Sequence, residues 1–383
     1  MKLEGEKAIE LWLAGKEKWN KWVEENPIAD VSFAGVVFNK AIVSNRVNYI
    51  SFADYNFPQG RVDFSEARFQ WGNVTFYKAN FGKGEVFFYK ANFGNGDVDF
   101  REASFEEGEV HFTRAKFGEG NVYFGRASFG KGMVIFSGAS FGEGIVDFSG
   151  ASFGEGNVNF ENIIFKGHAD FSDLLGCDGV KMFSFKNVSF EKTFTLSGKF
   201  GCVVDMVGTK TSHHVDLSGL KCDLQRNKRH WVFFKKADDE KDASRLRRLK
   251  ELAENNKHHE AGLRFHADEM RAKRWYVTGK FASVLDILFD FFSDYGQSIW
   301  RPVAGLAVLT IASPFVAYFL AKIWEVMGLP IDKDLIKTVI RDSLPFLPAS
   351  RSIETSITSI LHQLVALIFI FLIGLGLRNR FRI

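Results

Sequence analysis

From Val62 onward, apolar and polar residues alternate in a fixed twelve-residue pattern, V-x-F-x-x-A-x-F-G-x-G-x, carried through nine successive units from VDFSEARFQWGN to VNFENIIFKGHA. A fixed period of this kind predicts a solenoid, in which each unit stacks on the next. Residues two apart on an extended segment point the same way, so the Val/Phe and Ala/Phe pairs face inward and the polar residues around them face water. The predicted core is Phe64, Phe69, Phe76, Phe81, Phe88, Phe93, Phe100, Phe105, Phe112, Phe117, Phe124, Phe129, Phe136, Phe141, Phe148 and Phe153, spaced alternately five and seven apart. The recurring Gly-x-Gly is read as a corner at which the backbone takes positive φ.

Surface charge sets the length of one coil. If two units complete a turn, residues 24 apart stack at strand spacing, about 4.8 Å. One such column reads Lys83, Glu107, Lys131, Glu155 and another Lys78, Glu102, Arg126, with alternating sign in both. A twelve-residue coil would instead set Glu107 beside Glu119 and Glu143 beside Glu155, which repel. The expectation is a 24-residue turn, each exposed pair contributing about 0–1 kcal/mol.

The ARF, ANF, ASF and AKF segments, each partnered by VxF, resemble the pentapeptide-repeat family. The resemblance covers roughly residues 29–225, including the degenerate edges VSFAGVVF, ISFADYNF, VDMVGTKT and VDLSGLKC. It implies a β-solenoid, a right-handed quadrilateral β-helix with about 24 residues per coil. The seven-residue spacing departs from the family pattern by adding two residues, usually including the second Gly, at alternate corners.

The flanks follow a helical grammar. In residues 1–28, Trp12, Trp19 and Trp22 recur at helical intervals and predict a cap helix over the first coil, whose end would otherwise be an unpaired edge. In residues 226–280, Leu246, Leu249, Leu252 and Ala253, then Ala261, Phe265, Ala267 and Met270, predict a basic α-helical hairpin broken at ENN, with Asp242 or Ser244 near an N-cap. In residues 281–301, Asp286, Asp290 and Asp294 stand four apart among large apolar residues. That suits an amphipathic helix lying at a membrane interface; since aspartates are unusual beside anionic lipid, the alternative is pairing with the basic hairpin before them.

Two segments reach membrane length. Residues 302–321 carry no charge, and neither do residues 355–377 with His362 neutral. About 20 apolar residues span a bilayer core, so two transmembrane helices are expected at 302–324 and 355–377, with buried soluble helices as the alternative. An amphipathic, non-cytoplasmic connector (325–354) joins them and a basic tail (378–383) follows. Arg271, Lys273 and Arg274 before the first span, and Arg378, Arg380 and Arg382 after the second, are read as membrane-surface charge. By the positive-inside rule both termini and the solenoid are then cytoplasmic, in a multi-pass protein of the bacterial inner membrane. His362, Gln363 and Pro314 are the polar or kinking candidates within the spans, read as interhelical packing ahead of a water path. The connector lacks a TVGYG-type filter, which weighs against a potassium-selective pore.

Composition narrows the function. Phe occurs 42 times against 8 Trp and 8 Tyr, and Gly 35 times against 7 Pro, concentrated before residue 175. The net charge of +3 is too small to argue for nucleic acid. Residues 29–175 hold 13 Lys or Arg against 18 Asp or Glu, a net of −5, but alternating signs do not give the continuous negative potential a DNA mimic needs. Residues 221–280 hold 17 basic against 10 acidic side chains, a net of +7, which points to an anionic membrane surface. GKGEV and GEGNV recur in register without a following GK[ST], so they are corners and not phosphate loops. GNGDVD, His258, His259 and His266 lack metal-site spacing, and Cys177, Cys202 and Cys222 lack CxxC spacing. The N-terminus has no uninterrupted apolar core, so no secretory signal is expected.

Trp-rich cap, Phe-rich coils, basic hairpin and C-terminal spans together look like bacterial pentapeptide-repeat membrane proteins. The expected function is non-enzymatic and cofactor-free: a membrane-anchored scaffold or sensor whose β-helix binds a protein partner. The alternative is an oligomeric ion channel or pore formed by the spans and gated by the β-helix. The lipid bilayer is the expected partner, with a homo-oligomer as a further one.

Overall fold

A computed structural model describes residues 1–39, 49–70, 72–227, 235–326 and 357–381. The chain divides into two compact units, residues 1–273 and 274–383.

The first unit is a parallel β-solenoid of about nine turns. Four short strands make each regular coil. Val62, Val86, Val110, Val134 and Val158 pair in line along one side, and Phe117, Phe141 and Phe165 along the next. Val74, Val98, Val122 and Val146 align along the third side, and Phe105, Phe129 and Phe153 along the fourth. Each step is 24 residues, as the charge columns require. Further on the rise becomes irregular: Val146 to Ala169 to Phe194 to Val215.

All sixteen predicted core phenylalanines are buried, none more than 2% exposed. They form one ring stack per side. Along the first, Phe88, Phe112 and Phe136 follow at centroid spacings of 4.7 and 4.6 Å with nearly parallel planes. Strand spacing imposes that geometry, and edge-on contacts between stacks, such as Phe88 to Phe100 at 5.5 Å and 84°, supply the arrangement ring quadrupoles prefer.

The corners meet the expectation placed on glycine at two positions and correct it at the rest. Gly120, Gly132 and Gly144, each the second of its Gly-x-Gly, and Gly108, which closes Glu-Glu-Gly at the same place in its unit, do not have positive φ. A Cβ on Gly132 would lie 2.1 Å from the carbonyl oxygen of Gly108, one coil earlier, and one on Gly120 would lie 2.3 Å from that of Gly96. These glycines are required by close coil-to-coil approach, not by torsion. Positive φ occurs at the first glycine of two corners, Gly82 (61°) and Gly94 (73°), and recurs in the middle of each unit, at Lys78, Lys90, Glu102, Arg114 and Arg126 (φ 52–59°), where the next Ala N–H bonds back across a tight turn, as in Ala115 to Phe112 O at 3.0 Å.

Both ends are covered. The single cap helix expected over residues 1–28 is instead a strand, Lys2–Glu4, paired in parallel with the first coil, followed by helices α1 (Glu6–Leu13) and α2 (Lys16–Glu25). Gly15, at φ 98°, breaks what the pattern reads as one helix. Trp12 and Trp19 stack on Phe52 and Phe33, and their indole N–H groups bond Ser51 O and Asn56 O at 2.9 and 2.7 Å. At the other end, α3 (Asp242–Asn255) and α4 (His259–Lys273) form the expected hairpin, broken between Asn255 and His259. It buries Leu246, Leu249, Leu252 and Phe265 and reaches the last coils through Arg245 to Asp205 (3.2 Å), Arg248 to Thr209 O (2.7 Å) and Arg264 to Leu220 O (2.7 Å). Lys241, not Asp242 or Ser244, occupies the α3 N-cap, with no side-chain cap bond.

The second unit holds α5 (Lys280–Ser293), α6 (Trp300–Val326) and α7 (Ile357–Arg380). Gly305 makes room for the Phe369 ring, which a Cβ would approach to 2.4 Å, so α6 and α7 meet closely there. Of the two spans expected, one stretch among the described residues, Gln363–Arg380, is long and apolar enough to cross a membrane (mean hydropathy 1.5); the apolar run in α6, Trp300–Ala312, is shorter. Pro314 lies within α6 and His362 within α7, their side chains outside the described set; Arg382 and connector residues 327–354 also fall outside it.

Candidate interaction face

The third side of the solenoid carries three recesses, and the sequence reading singled out none of their residues as a site. Even-numbered units place their second and fourth residues outward here, so 24-residue columns run Thr75, Asp99, Tyr123, Asp147 and Tyr77, Arg101, Gly125, Ser149. That offset was the available signal. It was hidden because the core reading followed only the inward positions.

Near the N-terminal end, Tyr49, Thr75, Asp97, Asp99, Arg101 and Tyr123 line a recess of about 260 Å³, and Tyr77, Arg101, Glu102, Arg126, Asp147 and Ser149 one of about 350 Å³. Arg101 is fixed between them: Nε and Nη2 donate to Asp99 at 2.9 and 2.7 Å, and the guanidinium lies 5.1 Å from the Tyr123 ring centroid. The Tyr77 hydroxyl bonds Glu102 Oε1 at 3.2 Å. Nearer the C-terminus the face turns small and hydroxylated. Ser172, Thr195, Ser197, Asp216 and Ser218, with Lys199 and Lys221 in register, line about 550 Å³.

The carboxylates on this face have a local duty. Asp99, Asp147, Asp170 and Asp216 each accept the backbone N–H two residues on, at 2.7–2.9 Å, closing the turn after the strand. Asp147 and Asp170 are direct ladder neighbours. His168 Nδ1 meets Thr193 Oγ1 at 2.6 Å at the edge of this face. Thr193 and His168 are exposed, the reverse of the shielded setting nucleophilic catalysis needs.

The sequence-selected charges are distributed as follows. Lys83–Glu107 (3.3 Å), Lys131–Glu155 (3.4 Å) and Lys78–Glu102 (3.6 Å) form the predicted ladders, all solvent-exposed. The 24-residue turn does place Glu119 beside Glu143, and there the Glu143 N–H donates to Glu119 Oε2 at 3.0 Å, which eases the like-charge contact. The basic residues read as membrane-facing are engaged within the chain: Arg271 with Asp268 (2.8 Å), Lys273 with Glu269, and Arg274 with Asp286 and Asp290. Arg378 and Arg380 are exposed on the last turn of α7, and Gln363 is exposed near its start.

His258 sits by Asp216 (3.7 Å) with the His214 ring edge-on at 5.4 Å, and His266 lies near Glu269. Among the described residues no group of three or more His, Cys, Asp or Glu is placed to hold a metal ion. Burial pushes the Cys177 and Cys222 thiols up to about 12 and Cys202 to about 11, which leaves little thiolate. Glu269 is held down at about 2 despite its burial, by hydrogen bonds from His266, Lys273 and Arg247.

The fold defines the class: a parallel β-solenoid capped at both ends and followed by a unit with three helices among its described residues. Compared with family models, curated proteins and solved structures, the chain matches none.

Proposed function

We propose that the chain is a membrane-anchored, non-enzymatic pentapeptide-repeat protein whose solenoid is a rigid scaffold, presenting its recessed third side to a protein partner. The observation that carries the anchoring is the reversed polarity of residues 274–383. Arg274, Ser283 and Ser293 are buried, while Phe281, Phe291, Ile311, Phe315, Leu367 and Phe371 are each at least 63% exposed. Water penalises such a surface and lipid does not. On this reading residues 302–324 and 355–377 both span, and exposed Arg378 and Arg380 keep the C-terminus, and with it the solenoid, on the cytoplasmic side.

Vesicle flotation tests the reading. The full chain is expected to float with phosphatidylcholine–phosphatidylglycerol vesicles, and residues 1–273 to stay in solution. A full chain that stays monodisperse in buffer without lipid or detergent would end the membrane assignment. The scaffold assignment is tested by site-specific photocrosslinking from Tyr77 and Tyr123 in cells; a crosslink pattern identical to that from the fourth-side residue Ser128 would remove the third side as the docking face. A channel, the rival reading, draws on Gln363 exposed on α7 and requires several copies. A monomer in detergent that is silent in planar bilayers, for wild type and His362→Ala alike, excludes it.

A further inference from the structure

Helix α5 is built inside out. Ser283, Asp286, Asp290 and Ser293 recur every three or four residues as one stripe, and Phe281, Val284, Leu285, Leu288 and Phe291 form the opposite one. A helix of a water-soluble protein buries its apolar stripe. Here Ser283 and Ser293 are fully buried and the Asp286 side chain is 9% exposed, whereas Phe281 is 78% exposed and Phe291 63%.

The buried stripe closes on one cation. The Arg274 side chain, 7% exposed, donates from Nε to Asp286 and from Nη2 to Asp290 Oδ2 and to the Tyr295 hydroxyl, both at 2.6 Å. Tyr295 in turn donates to Asp286 Oδ2 at 2.7 Å. The third aspartate, Asp294, faces Arg301 at 3.7 Å, and Arg301 Nη1 donates to Asp290 O at 3.2 Å. Asp294 and Tyr295, at φ 49° and 54°, both take the left-handed region, and so the chain doubles back for Tyr295 to reach the cluster. Two such residues in succession persist only where surrounding contacts hold them.

We propose that Arg274 is the internal counter-ion that lets α5 lie in the lipid of a bilayer margin, as a third embedded helix with its apolar stripe against acyl chains. An ionised carboxylate enters a low-dielectric medium only when paired and hydrogen-bonded. Arg274 meets both conditions for Asp286 and Asp290 at once, so α5 presents no unpaired aspartate from this stripe to lipid. Helix α5 packs on α7 through the Phe292 and Phe369 rings at 5.1 Å, and its exposed stripe shares the unit with exposed apolar residues of α6 and α7, where Ile311 and Phe371 are 65% and 66% exposed. The occupant is therefore hydrocarbon. Arg274 acts here as a positioning residue for the helix. The inference rests on the membrane reading above, and its test keeps the two apart.

The full chain, with Cys177, Cys202 and Cys222 changed to alanine, is spin-labelled at Leu288→Cys or Ile311→Cys and reconstituted in phosphatidylcholine–phosphatidylglycerol vesicles. Collision with oxygen, which prefers lipid, is compared with collision with a water-soluble nickel chelate. Both labels are expected to favour oxygen. Ile311 in lipid with Leu288 in water overturns the proposal and leaves the membrane reading intact; both labels in water overturn both. Arg274→Gln is expected to move the Leu288 label toward water, an uncompensated charge shifting the helix's lipid-to-water partition by about 100-fold. Adding Asp286→Asn and Asp290→Asn to Arg274→Gln is expected to return it to lipid. No movement in Arg274→Gln, or no return in the uncharged triple variant, shows that Arg274 does not act through charge and overturns the counter-ion role.

Discussion

Gly132→Ala and Gly138→Ala are the same chemical change six residues apart, and the coil geometry separates them. A Cβ needs at least 3.0 Å from neighbouring heavy atoms; at Gly132 it finds the Gly108 carbonyl oxygen at 2.1 Å, a shortfall of 0.9 Å against backbone that cannot rotate away. The coils must part by about that distance. The adjacent bond from Val110 N–H to Met133 O, 2.8 Å long, would stretch beyond hydrogen-bonding range, and the Phe112–Phe136 stack at 4.6 Å would open. One or two broken buried bonds at about 1–3 kcal/mol each, together with overpacking strain, give a loss of about 3–5 kcal/mol. At Gly138 the φ of 68° is the feature usually taken to demand glycine, yet a Cβ there meets only Arg114 Cγ at 3.6 Å. Its column neighbours Arg114 and Asn162 already hold φ of 57° and 58°. The left-handed alanine should cost about 1 kcal/mol. Urea unfolding of residues 1–273 followed by circular dichroism, with hydrogen exchange of segment 128–141 as the local readout, measures the difference. Equal losses, or a larger loss at Gly138, would refute the argument from coil approach.

Other outcomes follow from the caps and ladders. Trp19→Ala removes a fully buried indole stacked on Phe33 and should cost about 3–5 kcal/mol, with faster hydrogen exchange confined to the first coils. Glu269→Gln leaves Arg247 and Lys273 without their buried carboxylate and should cost about 3 kcal/mol at pH 7, read as a fall in the unfolding midpoint of α3–α4. Because the folded value of Glu269 is depressed to about 2 from an ordinary 4.5, its contribution is complete above pH 4.5 and is lost as pH falls toward 2. Glu269→Gln should flatten the hairpin's stability across that window. Glu107→Lys, exposed between Lys83 and Lys131, should cost under about 1 kcal/mol, and the cost should vanish in 1 M salt.

The periodic part of the chain was legible because its physics is local. A residue's facing, in or out, follows from its place in the twelve-residue unit, and the sign of charge 24 residues away fixes how the units wind. The sixteen phenylalanines, the ladders and the helical hairpin were therefore available from the pattern, whereas the helix read over 281–301 ends at Ser293 and the next begins at Trp300. Trp12 and Trp19 announced a cap, though the strand before it and the break at Gly15 depended on what the first coil offered as a pairing edge.

What only the tertiary structure decided lies where residues far apart in sequence, or on neighbouring coils, meet. Sequence marked Gly132 as a flexible corner; the carbonyl of Gly108 decides that it must lack a side chain for want of space. For α5 the pattern left two partners open for the aspartates, a membrane interface or the basic segment before them, because hydrophobic periodicity does not say what meets a polar stripe; Arg274, folded back between Asp286 and Asp290, supplies the second. The recesses on the third side likewise exist only after winding sets Tyr77 beside Arg101 and Asp99 beside Tyr123, since a column of side chains is a property of the stack and not of any one coil.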